Sequence, residues 1–120
     1  MPESQTFGEF LRDHRARKGV SDPSFSLRRV AARVGIEPSY LSKIERGEEP
    51  PPGEETVRRL AAEIGEDADA FLARAGKVSG DLLDIIRERP ALVADLLRSI
   101  RQMPAKRVES FARKVRDGDW

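Results

Sequence analysis

The sequence predicts an all-α protein, and three observations lead to this fold class. Apolar residues recur at helical spacing over most of the 120 residues, and no segment shows a convincing strand pattern. Capping residues or prolines precede these apolar stripes, and glycines follow several of them. The chain is 36% charged and 38% hydrophobic, which is polar but leaves enough apolar residues for a packed core.

The first helix is predicted to begin after Thr6. Thr6 and Glu9 have the spacing of a capping box, in which each side chain accepts a hydrogen bond from a backbone amide at the helix start. Gly19 is expected to stop the helix. Its inward stripe contains Phe7, Phe10, Leu11 and His14. We interpret the histidine of this stripe as a packing residue rather than a catalytic one.

A second and a third helix follow, separated by a short turn at Gly35. Ser26 is the candidate N-cap of the second helix, while Pro38 at a first helical position opens the third and Gly47 closes it. The predicted inward residues are Leu27, Val30, Ala31 and Val34 of the second helix and Leu41 and Ile44 of the third.

Two further helices complete this part of the chain. The prolines at 50–52 exclude a helix there, and the fourth helix is predicted over about 54–64 and the fifth over about 67–75. Their predicted inward residues are Val57, Leu60, Ala61, Ile64, Phe71 and Leu72.

Composition excludes several classes of function. The chain has no cysteine and one histidine, which argues against disulfides, thiol catalysis and a metal cluster. No apolar run approaches the ~18 residues of a membrane span, and the N-terminal MPESQTFGEF lacks the layout of a signal peptide. We also find no phosphate-binding loop. The sequence therefore predicts a soluble, cytoplasmic binding protein that is not an enzyme and carries no cofactor.

Charge is distributed unevenly along the chain, although the formal net charge is only +1. Residues 1–47 contain nine basic and six acidic side chains, residues 48–77 four and eight, and residues 78–120 nine and seven. Any electrostatic footprint for a nucleic acid must therefore be local. Solvated helix faces alone could also give this pattern.

The outer face of the third helix carries only small polar or cationic side chains. A helix with this face can enter a major groove ~12 Å wide and donate hydrogen bonds to base edges. An ordinary solvated helix face would look the same from spacing alone. The face consists of Ser39, Ser42, Lys43 and Arg46.

Residues 26–65 resemble the helix-turn-helix of the Cro and lambda-repressor class, also called the xenobiotic-response-element (XRE) family. The matching features are the apolar pair Val30 and Ala31, the turn glycine Gly35, the run LSKIERG at 41–47, and a proline-started fourth helix ending in LAAEIG. Residues 10–19 and 67–77 resemble the first and fifth helices of the same fold. The resemblance implies a five-helix DNA-binding domain over residues 7–77 that binds duplex DNA sequence-specifically and controls transcription.

The resemblance also implies roles for individual residues, because in this family the third helix enters the major groove and the second crosses the backbone. Ser39, Ser42 and Lys43 match base-reading or adjacent positions, and Lys43 is the best candidate for a base contact. The hydroxyl of Tyr40 could reach a phosphate, or its ring could simply pack on the core.

Five more basic or acidic positions receive roles from the same resemblance. The phosphate-contacting candidates are Arg28 and Arg29, with the amides at their helix start, and Arg46. Arg15 and Glu45 match an ion pair of the family that ties the first helix to the third.

Three features depart from the family pattern. Residues 20–25 lengthen the connection between the first two helices, and Glu37 stands where a Ser or Thr cap is usual. Glu48 and Glu49 bring negative charge to a loop that normally approaches the DNA backbone. These departures predict a modest affinity for DNA or a narrow dependence of binding on dimerisation.

Residues 78–120 form a C-terminal extension of three predicted helices, interrupted at Pro90 and Pro104. Their apolar residues are too many for a unit this small to bury alone. We favour dimerisation, since helix-turn-helix proteins usually bind as twofold dimers. Packing on the first five helices and docking of a different protein remain alternatives.

The sequence therefore predicts a transcription regulator, more specifically a homodimeric repressor that reads a palindromic operator in double-stranded DNA. The alternative is an antitoxin-type protein, whose C-terminal helices bind a toxin while the N-terminal domain regulates its own gene.

Overall fold

A computed structural model describes residues 5–118, which contain eight α-helices, one short 3-10 helix and no strand. The predicted all-α fold class is therefore confirmed. The helices are α1 (Phe7–Gly19), α2 (Leu27–Val34), α3 (Pro38–Glu45), α4 (Glu54–Ile64), α5 (Ala68–Arg74), α6 (Gly80–Glu88), α7 (Pro90–Gln102) and α8 (Ala105–Arg116). Residues 1–4, at the start of the segment considered for a signal peptide, and residues 119–120 of the predicted extension lie outside the described residues.

The chain divides into two compact units, with the boundary between Ser79 and Gly80. The first unit contains α1 to α5 and the second contains α6 to α8. In the described part of the chain, no helix is long and apolar enough to cross a membrane.

The first unit is built around one hydrophobic core supplied by all five helices. Ring stacking reinforces it, because the rings of Phe7 and Phe71 lie 4.4 Å apart and nearly parallel. His14 packs on Phe10 with 3.9 Å between ring centroids, and its Nδ1 donates to the carbonyl of Phe10 at 2.9 Å. Within residues 5–118, every buried hydrophobic residue was predicted from the helical spacing: Phe7, Phe10, Leu11, Val30, Ala31, Val34, Leu41, Ile44, Val57, Leu60, Ala61, Ile64, Phe71 and Leu72.

The capping residues act largely as predicted. Thr6 and Glu9 form both hydrogen bonds of the capping box, and Ser26 Oγ accepts from the amide of Arg29 at 3.2 Å. Glu37 precedes α3 without a side-chain capping bond, consistent with its departure from the family pattern.

The first helix ends at Gly19, as predicted, and Val20 follows as its C-cap in a right-handed conformation. The fourth helix has its predicted bounds, but one feature expected from the resemblance is wrong. The fourth helix is not started by a proline, since Gly53 is its N-cap and the prolines at 50–52 lie outside it. The connection over residues 20–25 is also more ordered than a plain loop, because Pro23–Phe25 forms a 3-10 helix capped by Asp22.

The second unit has no core of its own. No side chain of α6, α7 or α8 is buried. Several large apolar side chains are half-exposed instead, among them Leu92 at 51%, Leu96 at 53% and Phe111 at 57%. This unit therefore exposes apolar surface that a folded protein normally buries.

The close packing of Gly8 in α1 against the end of α3 predicts how a substitution there changes stability. A Cβ atom added at Gly8 would lie 2.3 Å from the carbonyl oxygen of Ile44, a backbone atom that cannot move aside cheaply. We expect Gly8→Ala to destabilise the first unit by about 1–3 kcal/mol, the usual cost of overpacking. Thermal melts would measure this cost.

Gly19→Ala is the matched control. Its added Cβ would meet Phe25 no closer than 3.7 Å, an ordinary contact, and Gly19 has a helical conformation in which alanine is favoured. A Gly8→Ala variant that melts at or above the temperature of the Gly19→Ala variant would contradict the close packing of α1 on α3.

Candidate functional site

The candidate site lies on α2 and α3, which are joined by a tight turn at Gly35. Gly35 has φ 86°, a left-handed conformation that favours glycine. The amides of Gly35 and Ile36 both donate to the carbonyl of Ala31, at 2.9 and 3.0 Å, and so close the end of α2. The turn fixes the direction in which α3 leaves α2.

The core side of α3 sets which of its faces is presented to solvent. Leu41 and Ile44 are fully buried, and Tyr40 packs partly against the core. Ser39 and Lys43 are exposed, while Ser42 is half-buried. The structure thus brings the predicted outer-face residues together on one side of α3 and places the ring of Tyr40 partly against the core.

The predicted phosphate-contacting residues of α2 lie in its first turn. Arg28 and Arg29 are both exposed. The amide of Arg29 is used by the Ser26 cap, whereas the amides of Leu27 and Arg28 have no hydrogen-bond partner within residues 5–118. Free amides and cations at a helix start form a favourable site for a phosphate.

Arg15 and Glu45 form a bidentate ion pair between α1 and α3. Arg15 Nε and Nη2 donate to the two carboxylate oxygens of Glu45 at 2.7 and 2.8 Å, and Nη1 donates to the carbonyl of Phe25 at 3.2 Å. The Glu45 side chain is 3% exposed. Its hydrogen bonds raise the pKa of Arg15, against the opposing effect of burial.

Two other arginines near the site have structural roles. Arg33 of α2 pairs with Glu63 of α4 at 2.7 Å. Arg59 Nη1 donates to the carbonyl of Val34 at 3.3 Å, which caps the end of α2. Both arginines hold α4 to α2.

Arg46, one of the predicted DNA-contacting residues, is already engaged. Its guanidinium donates to the Ser42 hydroxyl and to both carboxylate oxygens of Glu48. The sequence placed Glu48 in a loop expected near the DNA backbone but did not reveal its contact with Arg46. The signal in the sequence was the order Arg46, Gly47, Glu48. A left-handed glycine at the end of a helix reverses the chain, so the side chains on either side of it can meet.

The chemistry of the site follows from the side chains that it exposes. Within residues 5–118 no three His, Asp or Glu side chains form a group that could hold a metal ion. The exposed carboxylate of Glu37 lies just before α3. The exposed polar groups within α2 and α3 are a hydroxyl, guanidiniums and one ammonium. These groups can donate hydrogen bonds to phosphates and base edges.

Comparisons with known proteins match the same part of the chain. A helix-turn-helix domain family matches residues 6–71. The HTH-type transcriptional regulator SlrR of Bacillus subtilis (strain 168) is 35% identical over 77 residues, which cover 61% of this chain and 47% of SlrR. The chain thus spans about half the length of this curated relative. No solved structure matches significantly.

The Arg15–Glu45 pair gives a prediction that separates structure from binding. We expect Arg15→Ala to lower the free energy of unfolding by about 3 kcal/mol, because the buried Glu45 carboxylate would lose its partner. Glu45→Ala should also destabilise the unit, by leaving the guanidinium unpaired. Loss of function should then follow unfolding, as measured by circular dichroism melts alongside binding. A variant that melts like the parent but fails to bind would instead make the residue a direct contact.

Proposed function

The chain belongs to the helix-turn-helix domain family, and from this membership we propose that it binds double-stranded DNA sequence-specifically and regulates transcription. The observation that carries the proposal is the exposed face of α3, where polar and cationic side chains lie opposite the buried Leu41 and Ile44. Family membership favours this role over an enzymatic one. SlrR is named as a transcriptional regulator, and for a chain with the same role we propose a cytoplasmic location.

In this proposal α3 enters the major groove and α2 lies across the backbone. Lys43 is exposed and forms no salt bridge among the described residues, so its ammonium is available to guanine O6 and N7. Ser39 and Ser42 lie on the same face and can donate to nearby base edges or phosphates. Tyr40 contributes mainly packing against the core, with its hydroxyl directed to the DNA backbone.

Phosphate contacts come from the start of α2 and the end of α3. Arg28 and Arg29 are exposed beside two amides without partners, and this combination binds phosphate without reading sequence. Arg46 adds a phosphate contact at the C-terminal end of α3. The two groups fix the register of the recognition helix on the duplex.

Replacing single cations tests the assignment of base and backbone contacts. We expect Lys43→Ala to cost about 1–3 kcal/mol on the preferred site and to relax the preference at one base pair. Arg28→Ala should weaken binding to all duplexes and reduce the slope of log K against log salt by about one unit.

Both variants lose one exposed cation and should melt like the parent, so they control for each other. The preferred site would first be selected from random or genomic fragments, and affinities measured by fluorescence anisotropy. A Lys43→Ala variant that weakens cognate and random DNA equally would contradict base reading by Lys43. A parent chain that selects no fragment would contradict the function itself.

We further propose that residues 78–120 join two copies into a homodimer that reads a palindrome. Support comes from the half-exposed apolar side chains of α7 and α8, which require a partner surface. Two readers about 34–36 Å apart reach successive major grooves on one side of the duplex. Linking them makes the second half-site contact intramolecular and so increases affinity. A bound dimer needs no further surface to block a promoter, and we therefore propose repression.

Exposed apolar residues of α7 provide the test of dimerisation. Leu92→Gln with Leu96→Gln should give a folded monomer that binds a palindrome little better than a single half-site, because both side chains are about half-exposed. Val20→Gln is the control, since Val20 is 88% exposed in the first unit and should leave the dimer intact. Light scattering and binding to both DNA designs would measure the outcome. A monomeric parent chain would favour the antitoxin-type alternative, in which α6 to α8 bind another protein.

A further inference from the structure

The end of α3 carries an ion pair within the proposed DNA interface. Arg46 Nε and Nη2 donate to Glu48 Oε2 and Oε1 at 2.7 and 3.2 Å, and Nη1 donates to the Ser42 hydroxyl. Both partners of the ion pair are about half-exposed, at 49% and 55% of their side chains. Arg46 therefore links Ser42, which is also proposed to face DNA, to the carboxylate of Glu48.

Backbone hydrogen bonding holds Glu48 beside the end of α3. Gly47 has φ 77°, a left-handed conformation that reverses the chain after α3. The amide of Glu48 then donates to the carbonyl of Lys43 at 2.8 Å, which holds Glu48 against the last turn of the helix. The side chain of Glu48 needs only to extend toward Arg46 to reach it.

The chemistry of the pair resembles an arginine–phosphate contact. A carboxylate and a phosphate each offer two oxygens to the fork of a guanidinium, and each accepts a bidentate pair of hydrogen bonds. The hydrogen bond from Arg46 lowers the pKa of Glu48, and the charges of Arg46 and Lys43 act in the same direction. The carboxylate is therefore ionised at neutral pH.

We propose that Glu48 is an intramolecular substitute for a DNA phosphate, which occupies Arg46 in the free protein and must be displaced when DNA binds. This inference rests on the proposed function. Displacement costs the existing ion pair on every duplex, so Glu48 lowers the affinity for DNA independently of sequence. Glu48 thus limits the time that the protein spends on random DNA.

Neutralising this carboxylate should strengthen binding. We expect Glu48→Gln to raise the affinity for both cognate and random duplexes by about two- to fivefold, the range given by an exposed ion pair. Glu49→Gln is the matched control: it removes the same charge from the next residue, which forms no ion pair among residues 5–118. It should raise affinity less, through net charge alone.

A double-mutant cycle with Arg46→Ala isolates the pair. In the Arg46→Ala background, Glu48→Gln should give no larger gain than Glu49→Gln, because no guanidinium remains to be released. Full-length variants would be compared by fluorescence anisotropy on labelled cognate and random duplexes, after melts confirm that each is folded.

Three results would overturn the inference. They are a loss of affinity in Glu48→Gln, a gain equal to that of Glu49→Gln, and a gain that persists in full without Arg46. Each of these can be observed only if the parent chain binds DNA. A parent chain that binds no duplex would instead refute the proposed function, so the two failures are distinguishable.

Discussion

The orientation of α3 depends on the bidentate pair between Arg15 and Glu45. Glu45 belongs to α3 and is almost completely buried, so its carboxylate requires a partner at a fixed place. Arg15 supplies that partner from α1 and also donates to the carbonyl of Phe25, which joins three segments at one guanidinium. Gly8 lets α1 lie directly against the end of α3. A rotation of α3 would leave a buried charge unpaired, and this cost holds its outer face toward solvent.

The cations around α2 and α3 divide into structural and available groups. Arg33 pairs with Glu63 of α4, and Arg59 donates to the carbonyl of Val34 at the end of α2, although both count as basic residues in the sequence. Arg28 and Lys43 form no salt bridge among the described residues, and they lie at positions suited to phosphate and base contacts. Arg46 is intermediate, because a neighbouring carboxylate occupies it. The number of basic residues therefore overstates the charge available to a nucleic acid.

The two units of the chain differ in how far they bury their apolar residues. In the first unit five short helices bury fourteen hydrophobic residues in one core. Among the described residues of the second unit no side chain is buried, and residues such as Leu96 and Phe111 are more than half exposed. A unit of about forty residues rarely stabilises itself by its own core. Its stability is therefore expected to depend on whatever surface covers α7 and α8.

The sequence by itself determined the helical fold class, the buried residues and the family. These follow from local rules: helical spacing identifies an inward face, and runs such as LSKIERG identify the motif. Helix bounds were also predicted closely, but the capping residues Gly53 and Val20 were not, since they depend on how the chain leaves one helix for the next. Only the tertiary structure decided which arginines are engaged, because the partner Glu63 lies thirty residues from Arg33 in sequence, and the contact of Arg46 with Glu48 requires the reversal of the chain at Gly47. Spacing specifies faces of helices, whereas ion pairs depend on where those faces meet in space.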